Sequence, residues 1–483
     1  MNRRRFVSGL ALAGAGLLGP RSLQAQSGPG VSPLEIRLGT SLGLTGPHGL
    51  QAFDYLRAFL TVLDETNGYG GVHHRRLTLF ALDHGSDPRR AVADIRTLIR
   101  DHDVLALAAF GHDDALVRAL PTLRRSGPPL FGSLSGLDLA ADPTPGLRRT
   151  LRPTFQTEME AWARYRSGST DGDGGRIAIC HSGDAAGRAL TEALRRTRTS
   201  GLEEAVWSPR PGSADGSAAL LQTIQTHFQE LGVDTVFLAL AHGAVVDWLA
   251  QADGRSWSPT VVLPSIVAGE SVARELDRRG LMRPERQLLQ SRVVPSLDES
   301  SPWVDRFKTA TERRSPRLKA EWRPDDALEK PWTAAGLQGY LTALALVRSL
   351  EETGSRLDRS TWAPRARRAS LWPEDGARAL ETPPTPTPLA SLEDGAEPDP
   401  TADLAADGVP RNIFLTRLDE SGRWRSLTLP TTVIPEDTVI PEGTVTPEDT
   451  VTPEGTVTPE DTVTPEDTAS DAAQTQPSPP QTQ

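Results

Sequence analysis

Short apolar runs alternate along the chain with longer stretches in which apolar residues recur every three or four positions. Residues 36–41 read as a buried strand. A helix follows over 51–66, with Phe53, Leu56, Leu60 and Leu63 on one face. The turn NGYGG at 67–71 stops it, because glycine tolerates the positive φ that ends a helix. Strand 76–83, helix 88–101, strand 104–110, helix 113–126 and strand 129–133 continue the pattern. After Pro153 the same rhythm restarts, with strands at 176–181, 235–240 and 260–263 and helices at 185–198, 217–231 and 244–253. Strands alternating with helices of this length predict βαβ units and parallel sheets. The expected class is α/β, with two Rossmann-like lobes. Ligands of open parallel sheets sit beyond the carboxyl ends of the strands, here the loops 42–49, 111–115, 132–136, 182–187 and 241–243. Two such rims facing each other would enclose a cleft for a small molecule.

The two ends of the chain break this pattern. Arg3, Arg4 and Arg5 precede an apolar run over 6–18 and the polar sequence SLQA, which reads as an export signal cleaved near Ala25. The run is too short for a span, which needs roughly 20 residues. NRRRFV is compatible with either a general secretory or a twin-arginine signal. Residues 432–467 are a hexapeptide, T-V-[IT]-P-E-[DG], repeated six times. Its regular prolines forbid helix and central strand, and its acids keep it solvated, so an extended, disordered acidic tail is expected. Residues 371–409, rich in Pro and acids, read as a linker.

Length and charge narrow the function classes. At roughly 150 residues per domain, 483 residues exceed one small module. The 63 acidic and 52 basic residues give a net charge of -11, but 11 of the acids lie beyond Thr431, where there is no base. The remainder is balanced and has no basic stripe, which argues against nucleic acid as a partner. The single cysteine, Cys180, excludes an intrachain disulfide framework and a Cys-rich metal site.

Several stretches together resemble one family. IRLGTSLGLTGPHG, NGYGGVHHRRLTLFALDHGSDPRRAVADIRTLI, VLALAAFG and PPLFGSLSG are similar to the amino-terminal lobe of ABC transporter substrate-binding proteins of the branched-chain amino acid (Leu/Ile/Val-binding) type. RIAICHSGDAAGRALTEALRR resembles the start of their second lobe, and the similarity spans roughly 34–353. The resemblance implies a type I periplasmic binding fold, two lobes joined by three crossovers that close on a small solute and present it to an ABC permease of the inner membrane. It implies a periplasmic location, no cofactor and no catalysis, and a monomer is expected. On this reading 33–153 and about 294–370 form the first lobe, and 154–293 and about 410–430 the second, to which strands at 412–417 and 423–429 return. A periplasmic sensor or accessory binding protein of the same fold is the alternative.

Carried over position by position, the resemblance places the solute's carboxylate near Ser133 and Ser135 of GSLSG, whose hydroxyls and neighbouring N–H groups suit an anion. The preceding loop departs from the family pattern. A serine-rich turn is replaced there by His112, Asp113 and Asp114, and the two acids would repel a carboxylate. On the second lobe Ala186 stands where an aromatic is usual, His242 falls in a rim loop, and Ser265 stands where an acid would receive an ammonium. These departures weaken the case for a plain branched-chain amino acid. The expected lining is Ser133, Ser135, His112, His242 and Ser265.

Enzyme readings fare worse. GTSLG at 39–43 matches a nucleophile elbow at Ser41 but is followed by LTGP rather than a helix. His73 and His74 are adjacent and read as turn residues, and Asp87 before Pro88 reads as a helix cap. No phosphate-binding loop or dinucleotide fingerprint is present.

Overall fold

The computed structural model describes residues 28–46, 49–111, 113–138, 152–167, 175–197, 201–208, 214–253, 256–283, 285–314, 316–325, 327–368 and 413–427. The export signal, His112, the linker and the acidic tail lie outside the described residues.

Four strands form the first sheet: β1 (Glu35–Leu42), β2 (Arg76–Asp83), β3 (Ala106–Ala108) and β4 (Leu130–Phe131). They pair in parallel in the order β2-β1-β3-β4, with Glu35 beside Arg76 and Leu42 beside Asp83. Helices α1 (Gly49–Gly68), α2 (Pro88–Arg100) and α3 (Asp113–Ser126) connect them. Both faces are covered, as parallel sheets require. Tyr55, Phe59 and Val62 of α1 form one core with Ile36 and Leu38, and Ala91, Ile95 and Leu98 of α2 form the other with Val104 and Leu107.

The second sheet has seven strands in the order β11-β10-β9-β8-β7-β5-β6. β5 (Ile177–His181), β6 (Leu202–Val206), β7 (Thr235–Ala239), β8 (Thr260–Leu263) and β9 (Leu288–Arg292) are parallel. β10 (Phe414–Leu418) and β11 (Trp424–Ser426) close its edge antiparallel, as the expected return to the second lobe requires. α4 (Phe155–Ser167) and α5 (Ala185–Arg196) pack on one face; α6 (Ala214–Glu230), α7 (His242–Ala252) and α8 (Gly269–Arg278) pack on the other. After β9 the chain returns to the first sheet with α9 (Pro302–Arg313), α10 (Ala334–Thr353) and α11 (Arg359–Arg368). Leu337, Tyr340 and Leu341 of α10 and Trp362 of α11 complete the α1 core.

Two expected strands are shorter in the structure. The strand expected over 104–110 keeps only β3, because Ala109 turns to φ 61. That expected over 129–133 keeps only β4, because Gly132 turns to φ 73. Both residues leave the extended region where the functional rim begins. The NGYGG turn behaves as read: Gly70 and Gly71 have φ 101 and 75, and a Cβ on Gly71 would stand 2.0 Å from the Arg75 carbonyl oxygen. His73 and His74 occupy the same turn at φ 50 and 62. Asp87 caps α2, accepting the Arg89 N–H at 2.8 Å. Ser41 lies fully buried within β1 and donates to Asp94 at 2.7 Å, so no exposed nucleophile stands there.

Candidate functional site

The rim of the first lobe is built by Asp83, the last residue of β2. Its carboxylate accepts from the N–H groups of Leu44, Thr45 and Gly85 at 2.9, 3.2 and 2.8 Å and from the Thr45 hydroxyl at 2.7 Å. Burial alone would raise the pKa of Asp83, but these donors outweigh it and hold the group below the usual carboxylate range. Asp83 is therefore the anchor of the loop that follows β1.

Between the two sheets lies a cavity lined from both lobes. Gly43, Gln51, Asp54, Asp113 and Leu134 come from the first lobe, with Thr333, Ala334 and Gln338 at the start of α10. Asp184, Ala186, the run 265–268, Glu270 and Arg292 come from the second, with Arg152 at its edge. The cavity has a volume of about 100 Å³, where one water needs roughly 10–15 Å³. The space is sized for a solute.

Ser265 is held by the protein itself. Its N–H and hydroxyl donate to the Glu158 carboxylate of α4 at 2.7 and 2.6 Å, and Arg152 donates to its hydroxyl at 2.7 Å. Ser291 of β9 donates to the same carboxylate. Burial lowers the pKa of Arg152, while Glu158 and Asp113 pull it up. Ser265 thus lines the cavity as part of a buried polar knot, whose carboxylate, Glu158, stands outside the lining.

Ser133 and Ser135 are buried in the neighbouring loop. The Ser135 hydroxyl donates to Asp113 and accepts the Leu137 N–H at 3.1 Å, while Ser133 accepts the Ser135 N–H at 3.1 Å. Leu134 between them, rather than either serine, faces the cavity. The structure brings Ser133, Ser135 and Asp113 together and sets Ser265 on the cavity's other wall. His242 begins α7, outside the lining.

Asp54, Glu158, Glu270, Arg152 and Arg292 were not legible as site residues. Asp54 is fully buried on α1, accepts the Thr333 hydroxyl at 3.2 Å and lies 3.7 Å from Arg57. Burial, reinforced by Glu270 and opposed by Arg57 and Thr333, raises its pKa to about 7. One signal was available: an acid beside Phe53 on the apolar stripe of a helix, with Arg57 one turn on. Among the described residues no cluster of His, Cys, Asp and Glu could hold a metal ion, and no helix is long and apolar enough to cross a membrane.

Two doubly covered α/β lobes with a solute-sized cavity at their facing strand ends define the type I periplasmic binding architecture. The chain belongs to the periplasmic binding protein family, whose model matches residues 35–388. Solved structures agree in fold. A possible leucine/isoleucine/valine-binding protein from Rhodopirellula baltica SH 1 is 18% identical, with 82% of this chain and 97% of that one covered and a TM-score of 0.60. A branched-chain amino acid ABC transporter protein from Thermus thermophilus with bound valine is 16% identical (84% and 98% covered, TM-score 0.62). A fatty acid ABC transporter substrate-binding protein from Thermomonospora curvata is 17% identical (84% and 94%, 0.62). No curated protein matches the chain.

Proposed function

We propose that the chain is the periplasmic solute-binding component of an ABC importer, capturing a small polar solute between its lobes and delivering it to an inner-membrane permease. The observation that carries this reading is the cavity, which takes its walls from both lobes, so a solute held there favours the closed arrangement. The similar structures are named for branched-chain amino acids and for fatty acids, so the fold alone does not select the solute. The protein acts by binding rather than catalysis, as a monomer, after residues 1–25 are removed on export. The lobes divide at about 153 and 293, with 410–430 returning to the second.

Mass spectrometry of small molecules released on denaturation, followed by titration calorimetry with the solute so identified, tests capture. A protein that carries none and binds none ends the reading. An intact Met1 in periplasmic material would contradict signal removal.

A further inference from the structure

One carboxylate oxygen joins the two walls of the cavity. Glu270, in the first turn of α8, accepts with Oε1 the N–H of Ala334, the first residue of α10, at 3.0 Å. The same oxygen accepts Nη1 of Arg292, the last residue of β9, at 2.7 Å. Trp424 of β11 stacks on that guanidinium at 5.2 Å.

Donors are left over. Arg292 is 2% exposed and lines the cavity, yet its Nε and Nη2 have no acceptor among the described residues. Those two nitrogens form the side-on edge of a guanidinium, whose parallel N–H bonds take a carboxylate in two hydrogen bonds. Glu270 occupies Nη1 and leaves that edge free. Burying charged donors without a partner is costly, and a solute's acceptors would relieve the cost. Next along α10, Ala335 also lines the cavity with no acceptor for its N–H, although Ala334 and Gly336 on either side give theirs to Glu270 and Thr333. An open N–H in the first turn of a helix sits at the positive end of the helix dipole.

The other acids of the lining have donors of their own. Asp113 accepts the Ser135 hydroxyl, Asp114 the Ala185 N–H at 3.1 Å, and Asp184 the Gly187 N–H and the Ser182 hydroxyl, both at 2.7 Å. Burial keeps Asp54 protonated up to about pH 7, so below that it adds no negative charge to the wall. Ser133 and Ser135, the expected partners of a carboxylate, give their hydroxyls to Phe110 and Asp113. Asp54 Oδ1 and Gln290 Oε1 have no hydrogen-bond donor among the described residues, which suits N–H or hydroxyl groups elsewhere on the same solute.

We propose that Arg292 receives a carboxylate of the solute side-on through Nε and Nη2, with the Ala335 N–H as a further donor, so that the solute's acidic end lies against the second lobe rather than the serine loop of the first. This inference rests on the solute-binding reading and deepens it by naming the substrate class, small organic carboxylates.

Isovalerate, α-hydroxyisovalerate, valine and octanoate test it, each against its primary amide, with binding to the full chain followed by thermal shift and titration calorimetry at constant pH. The carboxylates are expected to bind at least about tenfold more tightly than their amides. Arg292→Lys keeps a cation beside Glu270 and Trp424 but loses the fork, and should reduce that preference by about tenfold. An arginine with a purely structural role would instead lower acid and amide affinity alike. Glu270→Gln keeps an oxygen for the Ala334 N–H and removes the anion that competes for the guanidinium, and should increase the preference several-fold; it decides the matter if Arg292→Lys does not fold. Carboxylates that bind wild type no better than their amides, or a preference that a folded variant leaves unchanged, overturn the Arg292 site and leave solute capture standing. A panel in which nothing binds overturns both.

Discussion

Glu158 and Ser265 stand 107 positions apart in the chain, yet the carboxylate of one accepts both the N–H and the hydroxyl of the other, at 2.7 and 2.6 Å. That pair ties α4 to the loop after β8 and places Arg152 beside the cavity. Replacing Glu158 with leucine strands the buried donors of Ser265 and Ser291 and removes a negative charge that acts on the buried Arg152. A stability loss of about 3 kcal/mol is expected, seen as a lower denaturant midpoint. Glu158→Gln, which keeps an acceptor, should lose less. Equal losses for the two variants would show that packing rather than hydrogen bonding is at stake.

Asp54 makes stability depend on pH. The folded protein keeps its proton up to about pH 7, whereas the unfolded chain releases it near the ordinary value of 3.8. The folded state binds more protons across that interval, so this group's contribution falls as pH rises through it and levels off above pH 7. Asp54→Asn removes the titration. Denaturation at pH 5 and pH 8 should show wild type losing more stability over that step than the variant. Parallel losses would contradict the assignment.

Gly132 permits the turn that ends β4. A Cβ there would meet Thr342 Cγ2 of α10 at 2.2 Å, on a backbone with φ 73. Gly132→Ala should cost about 2–3 kcal/mol through strain and clash. The loss should shrink on a Thr342→Ser background, which deletes the clashing methyl. A double-mutant cycle with no coupling would assign the cost to φ alone.

Ser135 is expected to matter for folding through Asp113. Ser135→Ala removes the donor to a buried carboxylate and the acceptor for the Leu137 N–H, and should cost about 1–3 kcal/mol of stability. An unchanged melting temperature would show that Asp113 and Leu137 find other partners.

Local pattern determined much of this protein. The α/β class, the order of β1 to α3, the Asp87–Pro88 cap and the NGYGG turn each depend on neighbours within a few positions, where hydrophobic spacing and turn chemistry act directly. Among the elements not read from the sequence, β6 and β9 have sequences that contradict their burial or exposure. β6 is LEEAV, a partly exposed edge strand with two acids, and β9 is LLQSR, buried throughout although three of its residues are polar. Gln290, Ser291 and Arg292 are satisfied in part by Val267, Glu158 and Glu270, partners on other elements. The site divides in the same way. The sequence marked its loops, because parallel strands deliver their carboxyl ends to one rim. Which side chains face the cavity was decided by contacts between distant segments: Asp113 drew the Ser135 hydroxyl into the loop, and Glu158 and Arg152 took Ser265. Asp114 and Glu270 met helix N-termini that only the packing of the two lobes brings within reach, and no spacing in the sequence records that distance.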